Sequence, residues 1–126
     1  MTGPQRFAIK YGTFGPLLTV MGLGPSFSHV DLTDDILVVT MGWGFRTTIS
    51  RFAIQRAQPS DGPVGGIGIH GRAGRWLVNG AASGLVTIEL APTQQARMMG
   101  IPVKLDSLRV SLEEPERFLE ALGAAR

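Results

Sequence analysis

Apolar residues recur at every second position along most of the chain, and Gly, Pro or Asp-Asp interrupts the pattern at short intervals. A period of two, with turn residues between the segments, is typical of an antiparallel β protein. In the segment 45–50, for example, Phe45, Thr47 and Ile49 would share the buried face of one strand. Candidate strands, of which we expect about seven to form, cover residues 6–11, 30–32, 36–41, 45–50, 53–58, 67–70, 76–79, 85–90 and 108–112.

Two segments depart from this alternation. Residues 16–21 begin with Pro and end before a Gly, which indicates either one short helical turn or an irregular strand. Near the C-terminus, Pro115 fits the first position of a helix in which Phe118 and Leu122 lie on one apolar stripe. The pattern predicts an amphipathic helix over 115–122, and so short a helix needs to dock on the sheet because it is marginal in isolation.

The element order and two stretches of sequence resemble the bacterial pleckstrin-homology-like (PH-like) domains. The stretch 108–122 passes from a last strand, through an acidic residue and Pro, into a helix that ends in Ala-Leu. The stretches 30–43 and 45–50 are similar to the opening meander of that family. The resemblance implies an all-β fold with one C-terminal α-helix, namely an antiparallel barrel or sandwich of about seven strands with helix 115–122 as its cap.

The same resemblance leaves the function open, because one fold hosts many functions. Eukaryotic pleckstrin-homology domains that bind phosphoinositides carry a basic cluster in the loop that joins their first two strands. The corresponding segment 13–28 of this chain contains no Lys or Arg. The chain therefore departs from the usual phosphoinositide pocket.

Length and composition narrow the classes of protein. We expect the 126 residues to form one domain, 1–126, with residues 1–5 as a disordered start. The absence of cysteine excludes thiolate catalysis and cysteine-type zinc sites. The sequence shows neither a signal-peptide pattern nor an apolar run of the roughly 20 residues that cross a bilayer. We therefore expect a cytoplasmic protein that is at most peripheral to the membrane.

Basic residues are unevenly distributed around a formal net charge of +2. Five arginines and one acidic residue fall between positions 46 and 75, and guanidinium groups suit bidentate contact with phosphate or carboxylate. A solvated face of arginines is the alternative interpretation. The predicted binding residues are Arg46, His70, Arg72 and Arg75, with Trp43 as an exposed anchor.

A second apolar and basic stretch comes before the last predicted strand. Met98 and Met99 follow Arg97 and precede Gly100, Ile101 and Pro102. If exposed, this stretch would form a partner surface, since methionine adapts to irregular shapes. If buried, it would complete the barrel.

The chain carries no recognisable catalytic constellation. Its two histidines, His29 and His70, are too few for a three-histidine metal site, so we predict no metal and no cofactor. The predicted function is a non-enzymatic interaction module of the bacterial PH-like kind that binds a protein partner, a second copy or an anionic surface. A charge of +2 is too small to favour nucleic acid. The alternative is a small-molecule or lipid carrier whose barrel mouth holds an apolar ligand against Trp76 and Phe118.

Overall fold

A computed structural model of the protein describes residues 5–12, 15–60 and 68–124. Within these residues the chain forms nine strands of one sheet and two α-helices, which confirms a mostly β protein with a C-terminal helix. The elements are β1 (Gln5–Ala8), α1 (Gly15–Val20), β2 (Ser28–Leu32), β3 (Ile36–Met41), β4 (Phe45–Ser50), β5 (Ile54–Pro59), β6 (Gly68–Arg72), β7 (Arg75–Asn79), β8 (Leu85–Met98), β9 (Ile101–Ser111) and α2 (Pro115–Ala124).

Most of the predicted elements coincide with observed ones. The segment 16–21 takes the helical alternative as α1, and α2 begins at the predicted Pro115. Of the expected disordered start, residues 1–4 lie outside the described residues, and Gln5 is the first residue of β1. Ile67, the first residue of a predicted strand, also lies outside them.

The strands follow the order β1-β2-β3-β4-β8-β9-β7-β6, and β5 pairs with β8 beside this path. All pairs are antiparallel except β7 with β9, which run parallel. The expectation of about seven antiparallel strands is therefore corrected to nine strands with one parallel pair, and the described strands do not close into a complete barrel. Alternation could not reveal the parallel pair, because it shows which face of a strand is buried but not which strand becomes its neighbour.

Strands β8 and β9 form a long hairpin. The sequence predicted only the parts farthest from its turn, in the segments 85–90 and 108–112. Its two-residue turn consists of Met99 and Gly100, with φ of 52° and 81°. Positive φ at both positions is the geometry of a type I′ turn. Pro102 fits in β9 because β7 pairs only with Ser107–Val110, so that among the described strands β8 is the only neighbour here.

The core lies on the inner face of the sheet and is sealed by α2. Phe118 is completely buried, and its ring meets that of Phe7 edge to face, with centroids 5.2 Å apart. The apolar stripe predicted for the C-terminal helix is thus the face that docks on the sheet. The guanidinium carbon of Arg117, in the same helix, lies over the Phe7 ring, 4.3 Å from its centroid.

Candidate functional site

Large apolar side chains are exposed at one end of the sheet, where three segments meet: α1 with the loop that follows, the β3–β4 turn and the β8–β9 turn. The indole Nε1–H of Trp43 donates to the Met21 carbonyl at 2.8 Å. The Met99 amide donates to the Gly44 carbonyl at 2.8 Å. These two hydrogen bonds join the three segments. We term the exposed side chains there the apolar end: Val20, Met21, Phe27, Trp43, Met99 and Ile101.

Trp43, expected as an exposed anchor, is 59% exposed at the β3–β4 turn. Its ring lines a shallow surface depression of about 600 Å³ together with Phe27 and His29. The amide of Gly42 donates to the Phe27 carbonyl at 3.0 Å, which holds this turn against the segment before β2. The indole is therefore held by its N–H while much of its apolar surface faces solvent.

A half-buried tyrosine holds the loop that follows α1, beneath Trp43, by a hydrogen bond. The hydroxyl of Tyr11 donates to the carbonyl of Leu23, and the hydroxyl of Ser28 donates to the same oxygen at 3.3 Å. Burial raises the pKa of Tyr11, which keeps the hydroxyl protonated as a donor at neutral pH. The position of the apolar end is thus set by the core rather than by the loop alone.

The segments that form the apolar end carry basic but no acidic residues. The segments that form it and its flanks, 15–30, 41–50 and 91–105, contain no Asp or Glu. Their arginines are Arg46 on β4 and Arg97 on β8, both exposed, and a lysine follows in β9. Asp31 lies just beyond these segments, beside His29, and its carboxylate is paired with Arg6. An exposed apolar surface with basic neighbours is complementary to an anionic surface.

The outer face of β1 and β2 carries a compact charge cluster. Arg6 donates to both carboxylate oxygens of Asp31, at 2.7 Å from Nε to Oδ1 and 3.1 Å from Nη2 to Oδ2. His29 Nδ1 lies 3.1 Å from Asp31 Oδ2. The hydrogen bonds from Arg6 are the main cause that lowers the pKa of Asp31, although partial burial opposes them. The Asp31 carboxylate is therefore already occupied by Arg6.

Replacing Arg6 by alanine is expected to raise the pKa of Asp31 towards its ordinary value, because the strongest donors to the carboxylate are lost. A lowered pKa stabilises the fold at pH values above the unfolded-state pKa, and this stability is lost as pH falls through the folded-state pKa. The stability difference between wild type and variant should hence shrink at acid pH. NMR titration of the Asp31 carboxyl carbon measures the shift, and Arg56→Ala, on β5, serves as the unshifted control.

Two of the predicted binding residues, Trp43 and Arg46, belong to this end of the sheet. Arg46 is the first outward-facing residue of β4, and its Cα is the cross-strand partner of Arg97. Sequence reasoning noted Arg97 beside two methionines but did not include it among the binding residues, since it did not extend β8 that far.

The other three predicted binding residues lie on the β6–β7 hairpin. His70 is exposed on β6, and Arg72 and Arg75 face each other across the two-residue turn. Arg75 lines a depression that also contains Glu89 and Asp106. These carboxylates offset the charge of Arg75. The hairpin is therefore a less favourable site for binding an anion than the apolar end.

The aromatic side chains that a carrier would use are buried. Trp76 is 8% exposed, its ring centroid is 6.3 Å from that of Phe45, and its Nε1–H donates to the Lys104 carbonyl at 3.2 Å. Phe118 is enclosed by the core. The positions expected to hold an apolar ligand are thus filled by the protein's own side chains.

Among residues 5–12, 15–60 and 68–124, no three His, Asp or Glu side chains converge so that they could hold a metal ion. None of the helices in the described part of the chain has the length and apolar character needed to cross a membrane. Comparisons with protein families, with curated proteins and with solved structures find no significant match to this chain.

Proposed function

We propose that the chain is a non-enzymatic interaction module of the PH-like type, cytoplasmic and peripheral, whose apolar end docks on an anionic membrane surface. The observation that carries the proposal is Trp43, which is 59% exposed in segments that contain basic but no acidic residues. The sealing of the core by α2 supports the PH-like assignment, whereas the parallel β7–β9 pair departs from the antiparallel sheet that the resemblance implies.

Insertion of the apolar end into the interfacial region of a bilayer would be favourable for two separate reasons. Burying one large apolar side chain contributes about 1.5–3 kcal/mol. Tryptophan suits the membrane interface because it combines a large apolar ring with a polar N–H group. A basic residue near an anionic surface contributes about 1 kcal/mol. Stable peripheral binding usually requires two such signals together, and this end of the sheet supplies both.

Self-association through the same surface is less favourable on grounds of charge. A symmetric dimer uses the same patch on both copies, so every charge of the patch is present twice in one interface. Arg46 and Arg97 of the two copies would then lie around one interface whose segments contribute no carboxylate. An anionic lipid surface neutralises these arginines, whereas a second copy repels them.

The test is co-sedimentation of the protein with vesicles of phosphatidylcholine alone and with added phosphatidylglycerol, at low and at physiological salt. We expect binding to the anionic vesicles, weakened by salt because exposed charges are screened. Trp43→Ala should weaken this binding about tenfold or more, which corresponds to the lost burial of one large apolar side chain.

Phe52 provides the matched control, because it is 90% exposed and follows the opposite end of β4 from Trp43. The strand separates the two aromatic residues by roughly 17–20 Å. Phe52→Ala should leave vesicle binding unchanged. Equal losses in the two variants, or equal binding to neutral and anionic vesicles, would contradict the proposal, as would a dimer in sedimentation that Trp43→Ala dissociates in the absence of any lipid binding.

A further inference from the structure

Two arginines stand directly opposite each other on the outer face of neighbouring strands. Arg46 of β4 and Arg97 of β8 are Cα partners in the antiparallel register, and both are exposed. Like charges at directly opposed positions destabilise a sheet, so that this pair lowers stability unless an anion accompanies it.

The contacts of the two guanidinium groups leave most of their donors available. Arg46 Nη1 makes a long hydrogen bond of 3.4 Å to Thr40 Oγ1, and Arg97 Nη1 donates to the Gly100 carbonyl at 2.9 Å. Among the described residues neither arginine forms an ion pair. Asp31 is near enough for its charge to interact with Arg46, but its two oxygens already accept hydrogen bonds from Arg6.

Both arginines line a polar depression of about 530 Å³ next to the point where the β4–β8 pairing ends, at Thr47 and Ala96. Besides the two arginines, the lining residues include Thr48, which carries a hydroxyl, and Gln95, which carries an amide, and both residues are exposed. Within the described part of the chain no carboxylate lines this depression. Two planar donor forks with neutral donors beside them match the several oxygens of a phosphate group.

We propose that Arg46 and Arg97 together bind one phosphate group, carried either by a lipid headgroup or by a free phosphate compound. The lipid form of this site rests on the proposed membrane docking, whereas binding of phosphate in solution does not. Arg97 is two residues before Met99, and Arg46 is three residues after Trp43. A phosphate bound there lies beside the side chains that enter the membrane, at the depth of the headgroups.

The first measurement needs no membrane: thermal unfolding of the protein with increasing inorganic phosphate, against chloride at equal ionic strength. Phosphate should stabilise the wild type, because a ligand that binds only the folded state raises its stability. Arg97→Ala should weaken phosphate binding roughly tenfold or more, as expected when charge-assisted hydrogen bonds are lost. Without phosphate the variant should be no less stable than wild type, since the repulsion has been removed.

Arg56→Ala is the matched control, because Arg56 is also exposed on the sheet but has Glu89 as its neighbour across the β5–β8 ladder. It should respond to phosphate like the wild type. Trp43→Ala should do the same, so that a failure of membrane docking leaves this result intact. A phosphate response that persists in Arg97→Ala, or no response beyond that to chloride in the wild type, would overturn the site.

Vesicles distinguish the two sources of phosphate. Phosphatidic acid presents a phosphate monoester, whereas phosphatidylglycerol presents a diester, and both are mixed with phosphatidylcholine. Stronger binding of the wild type to phosphatidic acid, with the preference lost in Arg97→Ala, identifies a lipid headgroup as the ligand. A phosphate response in solution without that preference identifies a free phosphate compound and supports the site in its soluble form.

Discussion

Replacing Phe118 by alanine is expected to lower the free energy of unfolding by about 3–5 kcal/mol. Phe118 is completely buried and packs edge to face against Phe7. Truncation removes this aromatic contact and leaves a cavity beneath α2 that the stiff sheet cannot fill. Denaturant unfolding followed by circular dichroism measures the loss.

Glu120 of the same helix supplies the control for helix propensity and folding yield. It is exposed, so Glu120→Ala should change stability by no more than about 0.5 kcal/mol. A loss below about 1 kcal/mol for Phe118→Ala would show instead that α2 is peripheral to the core. The comparison thus tests whether the C-terminal helix completes the fold, as the PH-like resemblance implies.

The local patterns of the chain were sufficient for most of the elements. In β4 the buried Phe45, Thr47 and Ile49 alternate with exposed neighbours, as the period of two predicts. Pro115 marks the start of α2 because its fixed φ suits the first turn of a helix. These features depend on interactions within a few residues, which a single sequence records directly.

The long β8–β9 hairpin depends on interactions that a single sequence does not record. Pro92 and Pro102 lie within its strands, and proline normally argues against a strand. Pro102 is tolerated only because β7 stops short of it, which is a property of the whole sheet. For the same reason the sequence flagged Met99 but did not place it beside the β3–β4 turn.

The sequence therefore predicted the candidate site only in part. Trp43 and Arg46 were identified because a tryptophan between two glycines and an arginine on an alternating strand are visible locally. Arg97 became a partner of Arg46 only through the β4–β8 register, which joins residues far apart in sequence. The grouping with His70 and Arg72 rested on sequence proximity, whereas the hairpin that carries them lies beyond β9 in the strand order.

Gly42→Ala is expected to lower the free energy of unfolding by roughly 2–5 kcal/mol, the sum of a backbone penalty and a steric one. Gly42 has a φ of 54°, a left-handed conformation that an alanine adopts only at a cost. A Cβ at this position would also overlap the Gly22 carbonyl oxygen and lie 3.0 Å from the Leu23 Cα. Since both of these atoms belong to the backbone, relief requires the turn and the loop to separate.

Gly100→Ala isolates the backbone penalty, because Gly100 has a φ of 81° but a Cβ there meets nothing within 4 Å. Its loss should be about 1–2 kcal/mol, and equal losses in the two variants would mean that the Gly22 backbone yields freely. Separation of turn and loop also breaks the hydrogen bond from Trp43 to Met21. Gly42→Ala should therefore reduce stability and vesicle binding together. Trp43→Ala should reduce binding with a smaller loss of stability, because it removes the hydrogen bond to Met21 but leaves the backbone of the turn undisturbed.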